Sequence, residues 1–111
     1  MIEHMRSIGA FSGRWSNAHC NWVSDREIDI MAELGAVAVL NPESNLKIGS
    51  GVPPIPKLVE AGVPCALGTD GASTNDNLVL QDAMQLAAML HRPQEPDRRR
   101  WVTVADVMAM A

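Results

Sequence analysis

Residues 36–45 read AVAVLNPESN, and this stretch gives the strongest indication of fold class in the sequence. Its first five residues are all apolar and lack the alternation of polar and apolar side chains that a half-exposed strand shows. Such an uninterrupted run is typical of a parallel strand that is covered on both faces. Asn41 and Pro42 end the strand, because proline has no N–H to donate to a sheet. The stretch therefore predicts a parallel α/β fold, with a polar loop running from Glu43 to about Pro53.

Helical segments are predicted on both sides of this run. On the N-terminal side, Ser24 and Glu27 have the spacing of a capping box, and Gly35 is a typical helix stop. On the C-terminal side, Pro54 or Pro56 can open a helix, because the first turn tolerates proline. Strands that alternate with helices in this way imply right-handed parallel β-α-β units. The predicted helices are 2–9, 24–35, 54–61, 78–91 and 103–111, and the predicted strands are 17–20, 36–40 and 63–67.

The composition excludes several classes of partner. The 111 residues are 47% hydrophobic and 20% charged, with a net charge of −4. Nucleic-acid binding needs a dense basic face, and the single basic cluster, Arg98–Arg100, is predicted to be solvated surface. No apolar run reaches the ~18 residues of a membrane span and no leader pattern is present, so we expect a cytoplasmic protein without nucleic-acid or membrane partners. Cys20 and Cys65 are too few for a disulfide framework and are predicted to be buried free thiols.

Polar residues that are capable of chemistry follow each predicted strand. They are His19–Asn21 after the first strand, Asn41–Asn45 after the second and Gly68–Asn75 after the third. The carboxyl ends of parallel strands share one edge of the sheet, where α/β enzymes build their sites. We therefore expect these three segments to meet.

Five of these residues are candidates for a site. Asp70 could bind a cation or accept a proton from a bound water; the alternative is an Asp-Gly turn, although no alternating strand follows to complete a hairpin. His19 could be catalytic, but a lone histidine is more often structural. Asn41, Ser44 and Asn45 could bind substrate, or they could satisfy backbone groups of the loop.

Three motifs together resemble the amidohydrolase superfamily. They are Ala18-His19-Cys20, residues 41–51 (NPESNLKIGSG) and residues 67–75 (LGTDGASTN). Their order and spacing are similar to the branch that contains chlorotriazine hydrolases and the deaminases of methylthioadenosine and S-adenosylhomocysteine. The family fold is a (β/α)8 TIM-type barrel. The resemblance implies that residues 1–111 are the C-terminal part of such a barrel, covering roughly strands six to eight with their helices.

The resemblance also implies a chemistry. Family members are metal-dependent hydrolases, with zinc as the usual metal and iron in some, and this branch acts on carbon–nitrogen or carbon–halogen bonds of cyclic amidines or nucleobase-like rings. Asp70 corresponds to the strand-eight metal ligand, which also accepts a proton from the metal-bound water. His19 corresponds to the strand-six histidine, which hydrogen-bonds the water or substrate and in other branches binds metal. Asn41 and Asn45 remain candidates for contact with a small-molecule substrate.

The remaining ligands of the family's metal site have no counterpart in this sequence. There is no His-x-His pair and no strand-five histidine, whereas zinc sites use three or four protein ligands. We therefore expect a fragment with an incomplete ligand set that is inactive alone and that aggregates or assembles with other chains, a homo-oligomer included. Two alternatives stay open. One is a small α/β module that binds an anion at the helix start after Asn77, and the other is a non-catalytic remnant that folds only within an oligomer.

Overall fold

The computed structural model describes residues 1–111, in which three short parallel strands alternate with helices. This arrangement confirms the predicted α/β class, as an open three-stranded sheet and not a closed barrel. The strands are β1 (Ser16–Ala18), β2 (Val37–Leu40) and β3 (Cys65–Leu67). The helices are α1 (Ile2–Ser7), α2 (Asp25–Leu34), α3 (Pro42–Lys47), α4 (Ile55–Glu60), α5 (Leu80–Met89) and α6 (Val104–Met110), with a 3-10 turn at Arg98–Arg100.

The sheet has the order β1-β2-β3, so β2 is the central strand. Ala18 lies opposite Val39 in the first pair of strands, and Leu40 lies opposite Leu67 in the second. Leu40 is fully buried, whereas Val39 on the other face is only half-buried. The predicted cover on both faces of β2 is therefore complete on one face only, since three strands cannot close on themselves as a barrel does.

Helix α2 begins and ends as its sequence predicts. The Ser24 hydroxyl accepts the Glu27 N–H at 3.2 Å, and the Glu27 carboxylate accepts the Ser24 N–H at 3.1 Å. Gly35 has a φ of 69°, a left-handed conformation that ends the helix. Ile28 and Met31 lie on the inner face and are 3% and 0% exposed. The capping box and the glycine thus position a helix whose apolar face covers the sheet.

The predicted polar loop after β2 is wrong over its first half, because Pro42–Lys47 form helix α3. Pro42 occupies the first turn, where its missing N–H removes no intrahelical hydrogen bond. Ser44 and Asn45 are 0% and 1% exposed. Their polarity suggested a solvent-exposed loop, but both side chains are buried and hydrogen-bonded to other elements.

Strand β1 ends at Ala18, two residues before the predicted end at Cys20. His19 and Cys20 have φ angles of 68° and 52°, in the left-handed region that non-glycine residues rarely adopt. These two residues therefore turn the chain out of the sheet immediately after Ala18.

The Arg98–Arg100 cluster is exposed, as predicted, and Arg100 forms ion pairs with Glu60 at 2.7 Å and Glu95 at 2.9 Å. None of the helices combines the length and the apolarity that a bilayer crossing requires.

His91 links the end of α5 to the segment before α6. It is 4% exposed, and its Nε2 accepts the backbone N–H of Val102 at 3.1 Å. Burial is the main cause that lowers the pKa of His91 below the ordinary histidine value of 6.5; the nearby charge of Arg92 also lowers it, and that of Glu95 acts in the opposite direction. The folded protein therefore holds His91 in its neutral form.

This burial predicts a pH-dependent loss of stability. The unfolded chain takes up a proton on His91 as the pH falls through 6.5, and the folded chain does so only at a lower pH. The contribution to stability is complete above pH 6.5 and declines as the pH falls from there to the folded-state pKa, with a slope of at most about 1.4 kcal/mol per pH unit. Urea denaturation of the wild type and of His91→Gln at about pH 7 and about pH 5 tests this. Identical pH dependence in the two proteins would contradict it.

Candidate functional site

The ends of the three strands bring the predicted site residues to one edge of the sheet. Asn41 follows β2 directly, His19 follows β1, and Asp70 lies three residues after the end of β3. His19 and Asp70 share a left-handed backbone, with φ angles of 68° and 62°. Left-handed non-glycine residues cost free energy and are concentrated at functional sites. His19 and Asp70 therefore meet at the strand ends as predicted, and both residues have a left-handed backbone conformation.

Asp70 is held as a carboxylate. The Ser44 hydroxyl donates to its Oδ2 at 2.6 Å, and the Gly71 N–H donates to its Oδ1 at 2.8 Å. The hydrogen bond from Ser44 is the main cause that lowers the pKa of Asp70 below its ordinary value, followed by the Gly71 N–H and the contributions of Thr74 and His19. The Asp-Gly hairpin turn that the sequence left open is not formed, because the hydrogen-bonded turn runs from Gly71 to Thr74 and no strand follows it. The Asp70 Oδ2 atom lies on the side of His19.

His19 lies between Asp70 and the polar side chains of α3. Its Nε2 is 3.7 Å from Asp70 Oδ2, and its Nδ1 is 2.8 Å from Asn45 Oδ1. The side chains of His19 and Asp70 are 37% and 33% exposed. A half-exposed carboxylate and imidazole at this separation can share a proton donor, a water or a cation.

The two asparagines predicted to contact substrate have different environments. Asn45 is 1% exposed, and its amide is hydrogen-bonded to His19, Asn21 and Ser50. Asn41 is 5% exposed, and its Oδ1 lies against Gly68, where an added Cβ would be only 2.4 Å away. A side chain at Gly68 would displace the Asn41 amide from the strand-end edge.

Three features of this edge were not predicted from the sequence, which indicated Ser44 only as a candidate for substrate contact or for a backbone group of the loop. Ser44 is the main partner of Asp70, and the buried Asn75 organises the loop that carries Asp70. Trp22 is 84% exposed and lines a cavity of about 460 Å³ next to His19. Ser44 and Asn75 lie inside the two longer motifs, which is the signal that could have indicated them. Their partners Asp70 and Glu43 are 26 and 32 positions away, so the contacts themselves could not be predicted.

The cysteines near the sheet do not supply reactive thiolates at neutral pH. Burial raises the pKa of both Cys20 and Cys65 to about 11, with a smaller contribution from Cys20 to the value of Cys65. Both thiols are free, as predicted, although Cys65 is only partly buried. A thiol in such surroundings is a structural residue and a poor nucleophile or metal ligand.

The donor set at the strand ends fits part of a zinc site. Imidazole nitrogen and carboxylate oxygen are both common zinc donors, and His19 and Asp70 present one of each. No group of three or more histidine, cysteine, aspartate or glutamate residues is arranged to hold a metal. Protein zinc sites use three or four such ligands. His19 and Asp70 can therefore fill two positions of a metal's coordination sphere, and the others must come from residues outside this set.

A parallel α/β sheet with a carboxylate and an imidazole at its strand ends is an arrangement in which parallel α/β proteins, barrels included, build their sites. The sequence profile described as "Amidohydrolase family" matches residues 1–111, and the chain belongs to that family. The 5-methylthioadenosine/S-adenosylhomocysteine deaminase of Dictyoglomus turgidum is 46% identical over 96 residues, which are 86% of this chain and 22% of that protein. The 5'-deoxyadenosine deaminase of Methanothermobacter thermautotrophicus is 38% identical over 110 residues, 99% of this chain and 26% of that protein.

A solved structure gives the same assignment. The atrazine chlorohydrolase of Arthrobacter aurescens, complexed with zinc, superposes with a TM-score of 0.89 at 29% identity, over 98% of this chain and 24% of that one. The chain spans about a quarter of the length of the relatives it matches. The family assignment predicted from the three motifs is therefore confirmed.

Proposed function

We propose that this chain forms the ends of strands six to eight in a metal-dependent hydrolase that acts on an amino- or chloro-substituted, electron-poor ring. The observation that carries the proposal is the meeting of His19 Nε2 and Asp70 Oδ2 at 3.7 Å on left-handed strand ends. The deaminase and chlorohydrolase names of the relatives support carbon–nitrogen or carbon–halogen bonds as the target. Cyclic amidines and nucleobase-like rings, such as the adenine of a 5'-deoxyadenosine, are the corresponding substrate class.

Asp70, His19 and Asn41 would have different roles in the proposed hydrolysis. A divalent metal, with zinc supported by the zinc-bound relative, would be held in part by Asp70 and would supply a bound water whose pKa is lowered towards neutrality. Asp70, held ionised by Ser44 and Gly71, would be a ligand of that metal and would accept a proton from the attacking water. His19 Nε2 lies beside the same carboxylate oxygen, where it can bind the metal or hydrogen-bond the attacking water. Asn41, at the end of the central strand, is the better of the two candidates for substrate contact, because the Asn45 oxygen already accepts two hydrogen bonds.

A chimeric enzyme tests this proposal directly. The segment of the M. thermautotrophicus 5'-deoxyadenosine deaminase that aligns with this chain, about a quarter of that protein, is replaced by residues 1–111. We expect a zinc-binding chimera that releases ammonia from 5'-deoxyadenosine or methylthioadenosine, or chloride from a chlorotriazine. A folded, zinc-loaded chimera without any of these activities would contradict the proposal.

The chain by itself is expected to be inactive, since His19 and Asp70 supply only two metal donors. We expect the isolated 111-residue chain to bind zinc weakly and to release no ammonia from 5'-deoxyadenosine in the presence of added zinc. Zinc titration followed by calorimetry, with ammonia release assayed in the same samples, measures both. Stoichiometric, tight zinc binding by the isolated chain would show that its ligand set is complete. Neither alternative, the anion-binding module or the non-catalytic remnant, is favoured by a specific contact in the structure.

A further inference from the structure

The hydrogen bonds around His19 fix which of its ring nitrogens carries a proton. We infer that the Asn45 side chain, oriented by Asn21 and Ser50, keeps a proton on Nδ1 of His19. Nε2, which lies on the side of Asp70, is then the ring nitrogen that carries the free lone pair. Asn45 is on this view a positioning residue for His19. The position of the proton does not depend on the proposed hydrolysis, and only its catalytic consequence rests on that function.

The backbone carbonyl of Ser50 can only accept hydrogen bonds, and it orients the Asn21 amide. The backbone carbonyl of Ser50 accepts the indole N–H of Trp22 at 2.8 Å and the Asn21 side-chain nitrogen at 3.3 Å. The same Asn21 nitrogen also donates to Ser50 Oγ at 3.0 Å. Since a carbonyl has no proton to give, the NH2 group of Asn21 must point at Ser50. The oxygen of the Asn21 amide is therefore turned the other way, towards Asn45.

The orientation of the Asn21 amide determines that of the Asn45 amide through the hydrogen bond between them. Its Nδ2 lies 2.8 Å from Asn21 Oδ1, which can only accept, so the NH2 group of Asn45 must face Asn21. Asn45 Oδ1 then points at His19 and also accepts the Ser50 hydroxyl at 3.2 Å. If the Asn45 amide were flipped, its NH2 group would face the donors of His19 and Ser50, and its oxygen would face the oxygen of Asn21. Burial of Asn45, which is 1% exposed, makes such mismatches costly.

His19 must therefore donate from Nδ1. Its Nδ1 is 2.8 Å from Asn45 Oδ1, an acceptor with no proton of its own. The ring is then either neutral with its proton on Nδ1 or doubly protonated, and the neutral form with its proton only on Nε2 is excluded. In the neutral form with its proton on Nδ1, His19 Nε2 and Asp70 Oδ2 are both acceptors, and they lie 3.7 Å apart. Two acceptors so placed favour a shared proton donor or cation between them, which is the arrangement that the proposed site needs.

Nitrogen-15 NMR of the 111-residue chain tests the inference, because the chemical shifts of the two ring nitrogens distinguish the tautomers. The sequence has three histidines, and the signals of His19 are identified by their loss in His19→Gln. In the spectrum of the neutral ring, we expect the proton of His19 on Nδ1 in the wild type. Solid-state spectra report the same tautomers, so self-assembly of the chain does not affect the measurement.

Two variants of Asn45 distinguish its role as the hydrogen-bond acceptor of His19 from a general structural role. Asn45→Asp keeps an oxygen acceptor, and we expect the proton to stay on Nδ1. Asn45→Ala removes the acceptor and leaves Asp70 as the nearest one, so we expect the proton to move to Nε2. His91 serves as an internal control for folding, because its Nε2 accepts the Val102 N–H and its own proton is expected on Nδ1 in every folded variant.

Two results would overturn the inference. One is a wild-type His19 whose only ring proton is on Nε2. The other is an Asn45→Ala chain in which His19 keeps its proton on Nδ1 while the His91 signals are unchanged. If the alanine variant loses the His91 signals, the wild type and Asn45→Asp decide the question, since both must then show the Nδ1 proton.

Discussion

Changing Asp70 to asparagine in the deaminase chimera is expected to lower kcat by ~10²- to 10⁴-fold, the usual contribution of a positioned acid–base group. The amide has nearly the same shape, and its oxygen can still accept from Ser44 or from the Gly71 N–H. It carries no negative charge, however, and cannot take a proton from water at neutral pH. The loss should therefore fall on kcat, with little unfolding. Steady-state kinetics of ammonia release, together with the zinc content of each protein, measure it.

Asp76→Asn is the matched control for this prediction. Asp76 lies in the same loop, but its side chain is 80% exposed and pairs with Lys47 on the surface. Exposed ion pairs of this kind contribute ~0–1 kcal/mol, so we expect the Asp76→Asn chimera to keep its kcat. An Asp70→Asn chimera as active as the parent would exclude Asp70 from the reaction. Equal losses in both variants would point to a general effect of charge in the loop.

Changing Asn75 to alanine is expected to destabilise the chain by about 3 kcal/mol, since several buried polar groups would lose their partner. Asn75 is fully buried. Its NH2 group donates to the Thr69 carbonyl at 2.9 Å and to Glu43 at 3.1 Å, and its oxygen accepts the N–H groups of Asn77 and Leu78. One side chain thus joins the end of β3, helix α3 and the start of the segment that leads into α5.

Urea denaturation followed by circular dichroism measures this loss. The midpoint should shift to lower urea at an unchanged m-value, because the surface exposed on unfolding is the same. Ser73→Ala is the control: Ser73 is exposed in the same loop, and such surface substitutions usually change stability by less than ~0.5 kcal/mol. An Asn75→Ala chain as stable as the Ser73→Ala chain would show that the Asp70 loop does not depend on Asn75.

The elements that the sequence predicted well are those with local signals. The capping box of Ser24 and Glu27 and the left-handed Gly35 are contained within the residues of α2 itself, and the structure has both as predicted. A second such box, at Thr103 and Asp106, opens α6 in the same way. Capping depends on contacts three residues apart, so the sequence is sufficient to predict it.

The elements that the sequence missed depend on distant partners. Helix α3 reads as a polar loop, because Ser44 and Asn45 resemble solvent-exposed residues until their partners are known. Those partners, Asp70 and Asn21, are 26 and 24 positions away. The early end of β1 has the same origin, since the left-handed turn at His19 carries its ring to Asn45 and Asp70.

The amino-acid sequence by itself determined the parallel α/β class, the amidohydrolase family and the candidate pair of His19 and Asp70, because hydrophobic periodicity, helix caps and ordered motifs are local properties of the chain. The tertiary structure decided how that pair is arranged. Nε2 of His19 lies 3.7 Å from the Asp70 carboxylate, and the Ser44 hydroxyl donates a hydrogen bond that stabilises the ionised form of that carboxylate. The Asn45 side-chain oxygen is hydrogen-bonded to His19. These relations arise only when the strands pair in parallel, since that pairing brings together side chains that lie 26 or more positions apart.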